Sequence, residues 1–129
     1  MKRRTYLTTL LGGAAALARA ADLSDRPIQL HVDLTVDPAR EPEMLNNFKT
    51  IFRPAAAKQP GFLDAKMLKL RSTLAGKSPE SANYRFVLTF QNEELRQKWV
   101  ATDTHQKVWP AIENTLNHKN YNVLLYDQS

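Results

Sequence analysis

Ile28-Gln29-Leu30-His31-Val32-Asp33-Leu34-Thr35-Val36 alternates for nine residues. Ile28, Leu30, Val32, Leu34 and Val36 share one side, and Gln29, His31, Asp33 and Thr35 share the other. A period of two predicts a strand with one apolar face. Asp37-Pro38 ends it, and from Pro42 to Lys58 the period changes: Met44, Leu45, Phe48, Ile51, Phe52 and Ala55 recur at helical spacing. Pro54 falls inside that pattern and is expected to kink or divide the helix, since proline lacks an N–H and crowds the preceding turn. Pro60-Gly61 stops it.

Farther along, Phe62 to Arg71 reads as a second strand and Ser72 to Ala82 as a polar loop. Asn83 to Gln91 is a third strand, with Tyr84, Phe86, Leu88 and Phe90 opposite Arg85, Val87 and Thr89. Asn92 is placed to cap a helix carrying Leu95, Trp99 and Val100. Asp103, with Gln106 three residues on, resembles a second capping signal. Trp109-Pro110 is expected to kink or restart that segment, because a residue before proline avoids the helical region. Tyr121 to Tyr126 is the last strand. The order β-α-β-β-α-β predicts an α+β, ferredoxin-like fold: a four-stranded antiparallel sheet with both helical crossovers on one face. His31, Asp33, Thr35, Arg85, Val87 and Thr89 would then occupy the open face. Their polarity suits a sheet-to-sheet homodimer, with His31, Asp33 and Arg85 as the candidate interface network.

Upstream of the first strand, Met1 to Ala21 has the three parts of an export signal. Lys2-Arg3-Arg4 is a basic start, Tyr6 to Leu17 a mildly apolar stretch, and Ala18-Arg19-Ala20 a small-x-small cleavage pattern. The stretch is shorter than the ~20 residues that span a bilayer. Arg3-Arg4 followed by Thr5-Tyr6-Leu7 resembles a twin-arginine leader, which implies export of a folded protein to the periplasm or beyond. Cleavage after Ala20 leaves 109 of the 129 residues, enough for one domain over 28–127 behind a polar tether at 22–27. The leader also distorts the charge. The chain has 18 basic and 13 acidic residues, but removing Lys2, Arg3, Arg4 and Arg19 leaves 14 against 13. A near-neutral domain has no strong electrostatic pull on phosphates, which argues against a nucleic-acid partner. With no cysteine, disulfides, thiol nucleophiles and thiolate metal sites are excluded.

Pro60-Gly61-Phe62 after the first helix, Val87-Leu88-Thr89-Phe90 closing the third strand, and Trp99-Val100-Ala101-Thr102-Asp103-Thr104-His105 together resemble the antibiotic-biosynthesis monooxygenase family. The resemblance spans roughly Ile28 to Asp127. It implies a dimeric α+β barrel in which two ferredoxin-like sheets pack face to face. Some members oxidise hydroquinone-like or polyphenolic molecules with O2 and no cofactor, which implies a cofactor-independent monooxygenase acting on a hydroquinone-like or polycyclic phenolic molecule. Others bind or degrade haem.

His105 is the candidate catalytic base. The positive end of a helix dipole disfavours imidazolium there, and a neutral imidazole can accept a phenolic proton near neutral pH. Phe48, Phe52, Phe90, Trp99 and Trp109 are candidates for an aromatic, substrate-binding wall around a small aromatic molecule, although such spacing also suits plain core. No bound cofactor or metal is expected: His31, His105 and His118 lack an acid or Cys at ligand spacing. The alternative function is a non-catalytic binder of a small molecule or of haem, with His105 as ligand. The haem-degrading relatives commonly carry Trp where this chain has Phe90.

Overall fold

A computed structural model describes residues 26–79 and 81–129. The leader at 1–21 and most of the tether at 22–27 lie outside the described residues. Strand β1 (Ile28–Leu34) is followed by a short 3-10 turn at Pro38–Arg40, helix α1 (Glu41–Asn47), a π-helical turn at Phe48–Phe52, and helix α2 (Arg53–Ala57). Strands β2 (Phe62–Lys69) and β3 (Tyr84–Phe90) come next. Helices α3 (Glu93–Val100), α4 (Asp103–Val108) and α5 (Pro110–Glu113) then lead to β4 (Asn122–Asp127). The sheet order is β2-β3-β1-β4, antiparallel throughout. This is the ferredoxin-like arrangement.

Alternation sorts the sheet as the sequence predicts. Ile28, Val32 and Leu34 of β1 and Tyr84, Phe86, Leu88 and Phe90 of β3 are buried in one core with Met44, Phe52, Ala56, Trp99, Val108 and Ile112 from the helical layer. On the other face Asp33 lies directly across from Arg85, and the pair is bonded at 2.7 and 3.3 Å. His31 does not pair with Asp33. Its Nε2 lies 3.0 Å from Gln29 Oε1, and its ring meets Tyr126 edge-on. The side chains of β4 explain the difference, since Tyr126 is the cross-strand neighbour of Gln29 and supplies an aromatic surface beside the imidazole.

Three local expectations are met or corrected in detail by the folded chain. Pro54 sits in the first turn of α2, and the helix is divided just before it rather than at it. The π turn before it takes up the mismatch, with the Arg53 N–H donating to the Phe48 carbonyl five residues back. Asp103 is not the cap: Thr102 is, accepting from the His105 N–H at 3.1 Å, and Asp103 becomes the first helical residue. The segment does restart after Trp109, as α5 from Pro110, yet Trp109 itself keeps helical angles, φ −62° and ψ −40°. Its N–H bonds the His105 carbonyl at 3.0 Å, and its indole is tied elsewhere, so tertiary contacts override the local preference.

Gly61 closes the helix-to-strand turn at φ +89°, and a Cβ there would sit 2.5 Å from Leu95 Cδ1 of α3. The turn therefore requires both the left-handed backbone and the missing side chain. Gly61→Ala is expected to lower unfolding free energy by about 2–4 kcal/mol, combining left-handed strain with overpacking. Urea denaturation reads this directly; a midpoint equal to wild type would show that α3 can move off the turn without cost.

Candidate functional site

A cavity of about 150 Å³ lies between the helical layer and the β1–β3–β4 part of the sheet. Its floor is Leu30 and Val32 of β1, Phe86 and Leu88 of β3, and Val123 of β4. Phe52, Trp99, Val100, His105 and Trp109 roof it, and Tyr121 closes one end. Four of the sequence-predicted residues meet here: His105, Phe52, Trp99 and Trp109. Phe48 and Phe90 are placed outside the lining. Phe48 packs against Phe52 and Phe86, and Phe90 is fully buried against Phe62.

Thr102 sets the geometry of the roof. Its hydroxyl donates to the Trp99 carbonyl at 2.7 Å and accepts from the His105 N–H at 3.1 Å, so one side chain ends α3 and starts α4. The imidazole then lies edge-on to Trp99, with ring centroids 5.0 Å apart. Trp109 follows four residues later on the same helical face, nearly parallel to the imidazole at 6.5 Å. Among the described residues, His105 Nδ1 and Trp99 Nε1 here, and His31 Nδ1 on the open face of the sheet, are buried without a hydrogen-bond partner. Buried polar atoms of this kind call for an explanation, and a ligand is one.

Burial lowers the His105 pKa below its ordinary value, and the nearby Arg96 guanidinium lowers it further. Arg96 is itself held by Glu93 in a two-pronged pair at 2.6 Å. His105 is thus neutral at neutral pH, with a lone pair available on one ring nitrogen.

Two residues in or beside this site escaped the sequence reading. Tyr121 Oη accepts from Trp109 Nε1–H at 3.2 Å and donates to Glu113 Oε2 at 2.7 Å. The signals were present: Glu113 follows Trp109 by four residues, and Tyr121 has the same parity as Val123, which places it on the helix-facing side. Burial and the Glu113 carboxylate raise the Tyr121 pKa, so the hydroxyl stays protonated.

A larger space of about 290 Å³ lies near Pro79 and Ala82, beside Asp33, Lys69 and Arg85. Its charged groups already have partners: Arg85 with Asp33, and Lys69 with Glu41 at 2.8 Å. The smaller cavity holds the buried, unpartnered imidazole, which makes it the functional candidate despite its size. Among the described residues no group of three His, Asp or Glu side chains could hold a metal ion.

No family model matches the chain, and no curated protein is similar to it. Solved structures do resemble it. A candidate antibiotic biosynthesis monooxygenase from Caulobacter crescentus CB15 superposes with a TM-score of 0.64 at 18% identity, covering 87% of this chain and 98% of that one. A variant of SnoaB, a cofactor-independent oxygenase from Streptomyces nogalater, gives 0.63 at 16% identity over 80% and 93%. A dimeric ferredoxin-like protein of unknown function from Jannaschia sp. CCS1 gives 0.66 at 15% identity over 79% and 99%. At these identities the likeness establishes the fold.

The lowered pKa has a consequence for stability. The unfolded chain takes up a proton on His105 near pH 6.5 while the folded protein resists it, so the unfolded state binds more protons as pH falls. Stability is therefore fully present above about pH 6.5 and is lost as pH drops toward the folded value. Glu41 and Glu93, whose pKa values are lowered from 4.5 by Lys69 and Arg96, contribute only at lower pH. Urea midpoints between about pH 8 and pH 5 should fall in wild type and fall less in His105→Gln. Parallel curves for the two proteins would assign the loss to other groups, His31 first, whose pKa burial also lowers.

Proposed function

We propose that the chain is a cofactor-independent monooxygenase acting on a single-ring, hydroquinone-like phenol. The observation that carries this reading is the neutral, unpartnered imidazole of His105 inside an aromatic cavity whose lining bears no charged side chain. A phenol needs only a base to become an electron-rich phenolate, and an apolar aromatic slot offers that anion few groups that would return the proton. His105 takes the phenolic proton. The phenolate carbon skeleton supplies four electrons; one oxygen atom of O2 enters the ring, the other leaves as water, and the product is a quinone. The substrate is its own reductant. The fold shared with SnoaB, a cofactor-independent oxygenase, agrees with that economy of parts.

Size narrows the substrate. A void of about 150 Å³ holds a single benzene ring, whereas pockets for drug-sized ligands run to about 300–1,000 Å³. Monocyclic phenols fit this site better than the polycyclic ones that the family resemblance also suggests. The same volume tells against haem. His105 has a nitrogen to offer, but a macrocycle needs more room than this volume gives.

The reading includes a homodimer formed through the open sheet face and export behind the 1–21 leader. Leu68, Leu124 and Tyr126 lie on the same face as Asp33 and Arg85 and are 47%, 41% and 47% exposed. Exposed apolar side chains flanking a satisfied ion pair suit contact with a second copy.

Two measurements test these statements. Oxygen uptake by the metal-stripped protein over a panel of monocyclic hydroquinones, corrected for autoxidation, should require His105. His105→Ala is expected to lose at least about a hundredfold in rate while keeping its fold, and the wild-type rate should fall on the acid side with a midpoint below 6.5. Uptake unchanged in His105→Ala would remove that residue as the base. For the assembly and leader, native mass spectrometry of protein recovered from outside the bacterial cytoplasm should find a dimer of chains beginning at Ala21, and Leu124→Arg should yield monomers. A full-length monomer in wild type would contradict both.

A further inference from the structure

The hydrogen bonds around Tyr121 leave one capacity unused. A phenolic oxygen has one proton and two lone pairs. The proton is committed to Glu113 Oε2 at 2.7 Å, and one lone pair accepts Trp109 Nε1–H at 3.2 Å. The remaining lone pair has no donor among the described residues. Glu113 is fixed in turn: its backbone N–H bonds the Trp109 carbonyl at 2.9 Å, and its other carboxylate oxygen faces Lys119 Nζ at 3.9 Å. With a carboxylate accepting its proton, Tyr121 can present only an acceptor to anything that enters the cavity. Burial reinforces this by keeping the hydroxyl neutral.

The polar inventory of the lining is short. The N–H of Trp109 is used by Tyr121, and Trp99 can only donate. The acceptors left to a ligand are therefore one nitrogen of His105 and the oxygen of Tyr121. They flank Trp109, whose ring centroid is 6.5 Å from that of His105 and 6.0 Å from that of Tyr121. Both acceptors thus belong to cavity-lining residues that neighbour the same indole. The geometry points to two-point recognition of an aromatic diol, one hydroxyl donating to His105 and the second to Tyr121. This rests on the hydroquinone reading above and adds Tyr121 to it as the residue that recognises the second hydroxyl. A monohydroxy ring, or a diol with one oxygen methylated, can satisfy only one acceptor.

Binding measured without oxygen separates this inference from the oxygenase reading, because no turnover is required. Calorimetry on the full chain would compare hydroquinone with 4-methoxyphenol and catechol with 2-methoxyphenol. Wild type should prefer at least one diol over its monomethyl ether by about tenfold, the value of one additional hydrogen bond. Tyr121→Phe and His105→Ala should each erase the preference, since with a single acceptor left the second hydroxyl gains nothing. Glu113→Gln leaves the cavity wall intact and is expected to reduce the preference, because Tyr121 loses the charged acceptor that fixes its proton. Equal binding of diol and ether by wild type overturns the proposal, as does absence of binding by both diols, or a preference that survives Tyr121→Phe. If the diol preference holds and oxygen uptake is absent, the site is a diol-binding one and only the oxygenase reading fails.

Discussion

The ring of Phe52 is where both helical crossovers meet the sheet. It is 1% exposed and has four aromatic neighbours: Phe48 at 6.2 Å, Phe86 at 5.2 Å, Trp99 at 6.0 Å and Trp109 at 5.8 Å. Those partners come from the first crossover, the sheet and the second crossover. Phe48 stacks on Phe52 and the other three meet it edge-to-face; contacts of these kinds add about 0.5–1.5 kcal/mol each beyond burial and fix ring planes as well as distances. A cluster of flat, rigid groups held mostly edge-on to one another cannot collapse into the space beside it as aliphatic chains could. The cavity follows from that constraint. It persists because the rings around it are committed to one another.

The chemistry of the site depends on how the second crossover turns at Thr102. The side chain of Thr102 bonds the last turn of one helix and the first turn of the next, so Trp99 and His105 are positioned by the same oxygen. Trp109 then inherits its place from His105 by helical spacing, and Tyr121 inherits its place from Trp109 through the indole N–H. Each step is local, and each ends at a cavity-lining side chain. The helix N-terminus and the Arg96 guanidinium both act against a charged imidazole at His105. The environment that buries the base also keeps it neutral.

Much of this could be read from the chain because two periods govern it. Alternation in Ile28–Val36 and Tyr84–Phe90 assigns every side chain of β1 and β3 to the correct face, and the element order then admits one antiparallel topology. Where local rules failed, a longer-range contact outweighed them. Pro54 divides its crossover not at its own position but through the π turn before it, which keeps Phe52 and Ala56 buried on either side. Asp103 has the better capping signature, yet Thr102 caps because its hydroxyl can also reach back to Trp99. The role of Tyr121 depends on Glu113 and Trp109, which reach it across the turn into β4, and no periodicity reports a bond of that kind. Phe48 and Phe90 are indistinguishable from cavity-lining rings by spacing alone. Which ring borders a void is decided by the neighbours that fill the space around it.

The two faces of β1 cannot be exchanged, and the ion pair on the open face is what makes a slip costly. Asp33 and Arg85 are direct cross-strand partners, and the Asp33 side chain is only 7% exposed. Such a pair adds little net stability, because desolvating two charges offsets most of their attraction. Its effect on register is larger. A shift of one residue would turn Asp33 into the core, where a carboxylate without its guanidinium has no compensation, and would bring Leu30 and Val32 out of the cavity floor. Leu30 and Val32 carry the site on one side of the strand while His31 and Asp33 stand between them on the other. The floor of the cavity is therefore held in place by a charge pair on the opposite face of the sheet, with no side chain in common.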